Sequence, residues 1–109
     1  MNVTRSPLDV HPTEQSTKAV GQRADERLLF EAVLAEGLVD VTRLLHPEDA
    51  DFFTWWAPWR DHKARNIGWR IDYILASPAM AKLTTACYVQ RDVGASDHGP
   101  LIAVFDLEP

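Results

Sequence analysis

A chain of 109 residues fits one small domain, and a hydrophobic content of 46% excludes a disordered or membrane-spanning class. With 16 acidic residues against 11 basic ones, the net charge of -5 argues against a protein that captures nucleic acid through a basic surface alone, although bound divalent cations would reverse that balance locally, where a phosphate sits. Cys87 stands alone, which excludes a disulfide framework and a thiolate metal knuckle. No signal peptide or long apolar segment is read, so no membrane partner is expected and the cytoplasm is the default location.

In chain order, Met1-Asn2-Val3 can end a strand, and Thr4 to Val20 forms a polar connector punctuated by Pro7 and Pro12. That connector is either disordered or an active-site loop whose preceding strand belongs to a longer ancestor. Asp25 to Glu36 reads as a helix, with Leu29 and Val33, and Phe30 and Leu34, recurring four apart; Gly37 stops it. Leu38 to Leu45 continues as an apolar turn or short helix. Phe52 to Trp56 and Ile71 to Leu75 have strand character, and the charged stretch Ala57 to Gly68 separates them as a loop. Pro78 to Leu83 predicts a short helix opened by proline, while Thr84 to Val89 and Leu101 to Phe105 predict two further strands. Strands interspersed with helices indicate an α/β or α+β layered domain.

Two segments place polar groups at the edge of apolar strands. In Gly68-Trp69-Arg70-Ile71-Asp72-Tyr73, extended alternation predicts Arg70 and Asp72 on one face and Trp69, Ile71 and Tyr73 on the other. Arg70 and Asp72 could equally form a surface ion pair. In Ser96-Asp97-His98-Gly99-Pro100, ahead of Leu101, His98 is the natural general base, because an imidazole exchanges protons near neutral pH. Asp72 is a candidate to orient it, and Asp97 is a candidate metal ligand through its hard carboxylate oxygens. A tripeptide such as Ser-Asp-His can also do no more than cap a turn. No serine hydrolase is implied, since the Gly-x-Ser-x-Gly pattern is absent. Trp56 is expected in the core; Trp55 and Trp69 are expected to line a pocket. His11, His46 and His62 are expected on the surface.

Taken in order, Met1-Asn2-Val3, Gly37-Leu38-Val39-Asp40, Phe53-Thr54-Trp55-Trp56, the run from Asn66 to Leu75, and Ser96-Asp97-His98-Gly99-Pro100 resemble the exonuclease III and abasic-site endonuclease branch of the endonuclease/exonuclease/phosphatase superfamily. The resemblance spans nearly the whole chain. It implies the carboxy-terminal portion of a four-layer α/β sandwich, a partial domain over residues 1–109. It also implies roles: Asn2, Asp72 and His98 as catalytic groups, Asp97 as a metal-proximal carboxylate, and Trp55, Trp69, Arg70 and Ile71 as substrate-binding residues, with the two indoles and Ile71 forming an apolar pocket for an abasic sugar. The cofactor would be Mg²⁺ or Mn²⁺, and the partner of the complete enzyme would be duplex DNA with an abasic site or a 3′ end.

Complete members of that branch are about twice as long, and a glycine and an aspartate precede their equivalent of Asn2. A fragment, a late start or one piece of a split protein is therefore expected, with a missing amino-terminal half or self-association covering an exposed sheet face. Two other functions stay open. One is a phosphatase or phosphodiesterase of the same superfamily acting on a non-DNA substrate; the other is a catalytically silent remnant that binds or regulates a partner.

Overall fold

The computed structural model describes residues 2–93 and 97–107, so Met1 and Ser96 of the motifs above lie outside the described residues. The chain forms a mixed α/β fold with three helices and six strands among those residues: α1 (Ala24–Leu34), β1 (Val39–Asp40), α2 (Val41–Leu45), β2 (Trp55–Trp56), β3 (Gly68–Trp69), β4 (Leu75–Ala76), α3 (Pro78–Ala81), β5 (Thr84–Val89) and β6 (Leu101–Phe105). Each strand pairing is antiparallel: β1 with β4, β2 with β3, and β5 with β6. No helix among the described residues is long and apolar enough to cross a membrane.

Helix α1 starts where Glu26 accepts hydrogen bonds from the amides of Gly21 and Arg23, satisfying donors that the first turn leaves open. It ends at Leu34 with Ala35 as its cap, short of the expected Glu36, and the chain turns away at Gly37, whose φ of 103° is a left-handed conformation that glycine adopts without steric cost. Only Phe30 of this helix is buried, against the Tyr73 ring at 4.5 Å. Leu28 and Leu29 face outward, so the apolar stripe expected through Leu29 does not meet the core. Asp40 caps α2 by accepting from the Arg43 amide, and Ser77 caps α3 by accepting from Met80.

The core lies between α2, α3 and one face of the β5–β6 hairpin, where Val41, Phe52, Ala76, Ala81 and Cys87 cluster. Strand alternation explains which face this is. Cys87 pairs with Ala103 and Val89 with Leu101, all on the core side, whereas the register partners Ala86 and Val104, and Tyr88 and Ile102, point the other way. The second face is thus apolar too, yet Tyr88 and Val104 are more than two-fifths exposed.

Residues 4–20, expected as either a disordered connector or an active-site loop, form a closed run of turns. The amide and hydroxyl of Thr4 both donate to the carbonyl of Gly21 at 2.7 Å, closing the segment at its ends, and two 3-10 turns, Pro7–Asp9 and Pro12–Glu14, shape it between them. Thr4 and Asp9 are both fully buried. Asp9 accepts the amides of Arg5 and Ser6 and the guanidinium groups of Arg43 and Arg70. Arg70, also fully buried, reaches Asp40 with two further bonds of 2.9 Å. Arg5 adds a third guanidinium 3.3 Å from Asp40 and pairs in turn with Glu31 at 2.9 Å, so three positive charges face three negative ones, which makes the burial of Asp9, Asp40 and Arg70 tolerable.

Two histidines depart from the expected surface placement. His62 is buried with its Nε2 3.6 Å from Glu14, because the loop after β2 folds back beneath the second 3-10 turn. His46 is half-buried, with its ring nitrogen 2.8 Å from the Cys87 carbonyl.

Candidate active site

Backbone pairing assembles the site. Trp55 is the register partner of Trp69, Trp69 bridges to Val10, and Trp55 bridges on its other side to His98. Directly paired residues of antiparallel segments share a face, so Val10, Trp69, Trp55 and His98 form a row across four segments. The two indoles meet edge to face at 82° with centroids 5.7 Å apart. On the opposite face Trp56 is buried over Gly68, where a Cβ would lie only 2.6 Å from its indole. Trp56 is therefore packing, and Trp55 and Trp69 are half-buried on the other face.

His98 sits at the end of this row, with Nδ1 2.7 Å from Asp72 Oδ2. An ionised carboxylate only accepts, so Nδ1 carries the proton and donates it, which places Nε2 on the ring edge turned from the carboxylate. Both side chains are about 40% exposed, so the pair is open to solvent and to a ligand. Asp97 is exposed; its Oδ2 accepts the Trp55 indole N–H at 2.9 Å, and its carbonyl accepts the Trp56 amide. Ile71 is buried, with its amide on Thr54 Oγ1.

Asn2 is exposed, and its carbonyl abuts Gly21, where a Cβ would be 2.8 Å from that oxygen and 3.3 Å from the Trp69 ring. With φ at 91°, Gly21 is doubly required: a side chain would be strained and would displace either neighbour. Tyr73 holds the same corner. Its hydroxyl donates to the Val3 carbonyl, and burial pushes its ionisation well above the usual phenol range. Asn2 is brought beside the indole row by these contacts, while its side chain joins none of the described hydrogen bonds of Asp72, Asp97 and His98.

Arg70, expected among the substrate-binding residues, lies inside the protein. It is fully buried in the Asp9–Asp40 network and lies 4.6 Å from the Tyr73 ring. Burial alone would favour the neutral form, but the hydrogen bonds and charges of Asp9 and Asp40 outweigh it and hold the guanidinium more firmly protonated than usual. The expected pairing of Arg70 with Asp72 fails because this stretch is not a regular strand: the Arg70 amide donates to Asp9, and the next two amides both donate to Thr54 Oγ1. Consecutive strand amides point to opposite sides, so the chain must turn here.

Among the described residues no group of three or more histidine, cysteine, aspartate or glutamate side chains converges to hold a metal ion. A hard divalent cation such as Mg²⁺ is held near-octahedrally by oxygen ligands, several of which are usually waters. Asp97 offers one carboxylate, already bonded to Trp55. Alone, these residues supply too few oxygen ligands to fit a Mg²⁺ or Mn²⁺ site.

The model of the Endonuclease/Exonuclease/phosphatase family matches residues 2–98. The chain belongs to this family. Within it, the chain is 32% identical over 107 residues to recombination repair protein 1 of Drosophila melanogaster, covering 98% of the chain but 16% of that protein. It is 29% identical to an exodeoxyribonuclease of Bacillus subtilis, covering 98% of the chain and 42% of the relative. Among solved structures, an AP endonuclease from Archaeoglobus fulgidus superposes with a TM-score of 0.89 at 35% identity, covering 97% of this chain and 43% of that one. A 3′-5′ exonuclease from Neisseria meningitidis gives the same score, identity and coverage. The chain is thus related to the AP endonuclease and exonuclease branch of the family, and it spans less than half the length of these relatives.

Proposed function

We propose that this chain carries the histidine-bearing part of a site that hydrolyses DNA phosphodiesters, acting at an abasic site or a 3′ end. The observation that carries the reading is the 2.7 Å His98–Asp72 pair standing at the end of the indole row. Asp72 fixes the tautomer and steadies the imidazolium, and His98 holds or transfers a proton at the phosphate through Nε2. Trp55, Trp69 and Ile71 offer an apolar pocket that admits a sugar lacking its base more readily than an intact nucleotide. Residues 4–20 act as a loop of that site, tied to it through Val10 and Gly21. Mg²⁺ or Mn²⁺ enters this proposal only with ligands from outside the described residues, Asp97 adding one carboxylate.

The outward apolar face of β5–β6 supports a sandwich completed by a further half-domain, as in a four-layer arrangement. The experiment mixes this chain with the amino-terminal half of a family nuclease and follows cleavage of a labelled abasic duplex and of a recessed 3′ end, with Mg²⁺ and with chelator. Cleavage is expected from the mixture, and His98→Ala should lower it by about 10²–10⁴-fold, the usual range for removing a general acid or base. An unchanged rate in that variant would remove His98 from the chemistry.

A second reading is favoured by one observation, the lack of a metal-holding group among the described residues. In that reading the chain is a silent partner-binding remnant. Association with the added half without any cleavage would select it, and cleavage of a phosphate monoester or lipid headgroup in place of DNA would select a different substrate.

A further inference from the structure

Thr54 carries no role in the chemistry above, yet it is fully buried and all its polar groups bond to the two segments that bear Asp72 and His98. Its amide donates to the Trp69 carbonyl and its carbonyl accepts from the Gly99 amide, each at 2.9 Å. Its hydroxyl oxygen accepts the amides of Ile71 at 3.0 Å and Asp72 at 3.1 Å. Two acceptor positions are all that a hydroxyl oxygen has. The side chain of one residue therefore bends the chain at Asp72, and the backbone of the same residue fixes the neighbour of His98.

From this we infer that Thr54 is a positioning residue for the Asp72–His98 pair, its hydroxyl setting the aim of the Asp72 carboxylate at Nδ1. An alternative is that the hydroxyl merely satisfies two buried amides, stabilising the fold with no bearing on the imidazole. The two differ in what a near-isosteric change does. Thr54→Val keeps the shape and removes the acceptor, which frees the Ile71–Asp72 backbone to relax toward an extended strand and swing the carboxylate. Thr54→Ser keeps the acceptor and loses only a methyl group. The inference rests on the proposed role of the pair, but it is read out on the imidazole itself, without any need for turnover.

The experiment uses the intact chain, labelled with ¹⁵N at histidine, and follows the His98 Nδ1–H proton and its exchange with water. Asp72→Asn, which removes the ionised acceptor, supplies the reference. Thr54→Val should speed exchange of this proton by about tenfold or more, the factor that follows from weakening a hydrogen bond to a charged acceptor, while the ring signals of His11 and His46 stay in place. Thr54→Ser should leave it within about twofold of the parent, well inside the energy of one hydrogen bond. Adding Thr54→Val to Asp72→Asn should change the proton no further, since the acceptor whose aim is at stake is already gone.

Exchange in Thr54→Val equal to the parent would overturn the inference. If that variant does not fold, Thr54→Ser decides: a folded protein that has lost the protected proton refutes a role for the hydroxyl, and one that retains it beside a Thr54→Ala that loses it supports the role. Absence of DNA cleavage in the assembled system would sink the hydrolase reading and leave this result standing.

Discussion

At the scale of single residues, Asp72 and His98 were legible in the sequence because each lies in a short polar segment at an apolar strand, and the pairing needs only that two such segments be neighbours. Arg70 was not legible. Alternation sets it beside Asp72, and nothing local shows that its amide goes to Asp9 or that Thr54 takes the next two. Its carboxylate partners stand 61 and 30 residues away, beyond the reach of any pattern argument. Burial works against ionisation of Asp9, but its bonds and charges with Arg70 and Arg43 outweigh that and hold the carboxyl below the usual carboxylate range. A carboxyl lowered on folding stabilises the fold above its unfolded value and loses that stabilisation as pH falls through the folded one. Urea unfolding should therefore show stability declining below about pH 4, the ordinary aspartate range. Asp9→Asn should cost about 3–5 kcal/mol at pH 7, the usual penalty for unpairing a buried charge, and should flatten that acid limb. A loss under 1 kcal/mol would mean that the network is solvated.

Among the elements, β5 and β6 keep the expected bounds, because apolar, β-branched and aromatic residues pair along the strands from Ala86 to Val89, with a register shift at Thr85 before the last pair. The strands of the site do not. Phe52 to Trp56 contracts to Trp55–Trp56 and Ile71 to Leu75 gives way to Leu75–Ala76, while Gly68–Trp69, expected where the loop meets an extended segment, becomes the partner of β2. Side-chain acceptors and loop carbonyls take the amides that a ladder would have used, and strand propensity carries no information about them. Gly68 allows the close approach of β2 and β3. Gly68→Ala should cost roughly 1–3 kcal/mol by overpacking against Trp56 and the Trp55 carbonyl. Its tryptophan emission should shift as the Trp55–Trp69 contact opens, whereas retained stability and emission would show that the strands can separate freely.

For the whole molecule, the mixed fold and the family relation were within reach of the sequence, while the path of residues 4–20 around Asp9 was not, since it depends on buried polar groups rather than on apolar periodicity. The outward face of β5–β6 bears on assembly. Ala86, Tyr88, Ile102 and Val104 give this hairpin two apolar faces, where a solvated antiparallel sheet shows one. Val104→Lys is expected to leave the core and the thermal midpoint within a few degrees, because surface substitutions are usually within about 0.5 kcal/mol. It should also reduce dye binding to exposed apolar surface and block cleavage by the complemented mixture. Complementation unaffected by that charge would place the covering half elsewhere.

The Arg70 network also bears on how the chain finds its fold. One guanidinium gathers segments around residues 9, 40 and 70, so its bonds form only after long stretches of chain have been brought together. The entropy of closing such loops is lost before the ion pairs compensate for it. Arg70 then behaves as a latch that closes late, and Arg70→Met should quicken unfolding in stopped-flow experiments far more than it slows refolding. The opposite partition would make this buried charge cluster part of the nucleus, with the loop of residues 4–20 docked before the strands it serves.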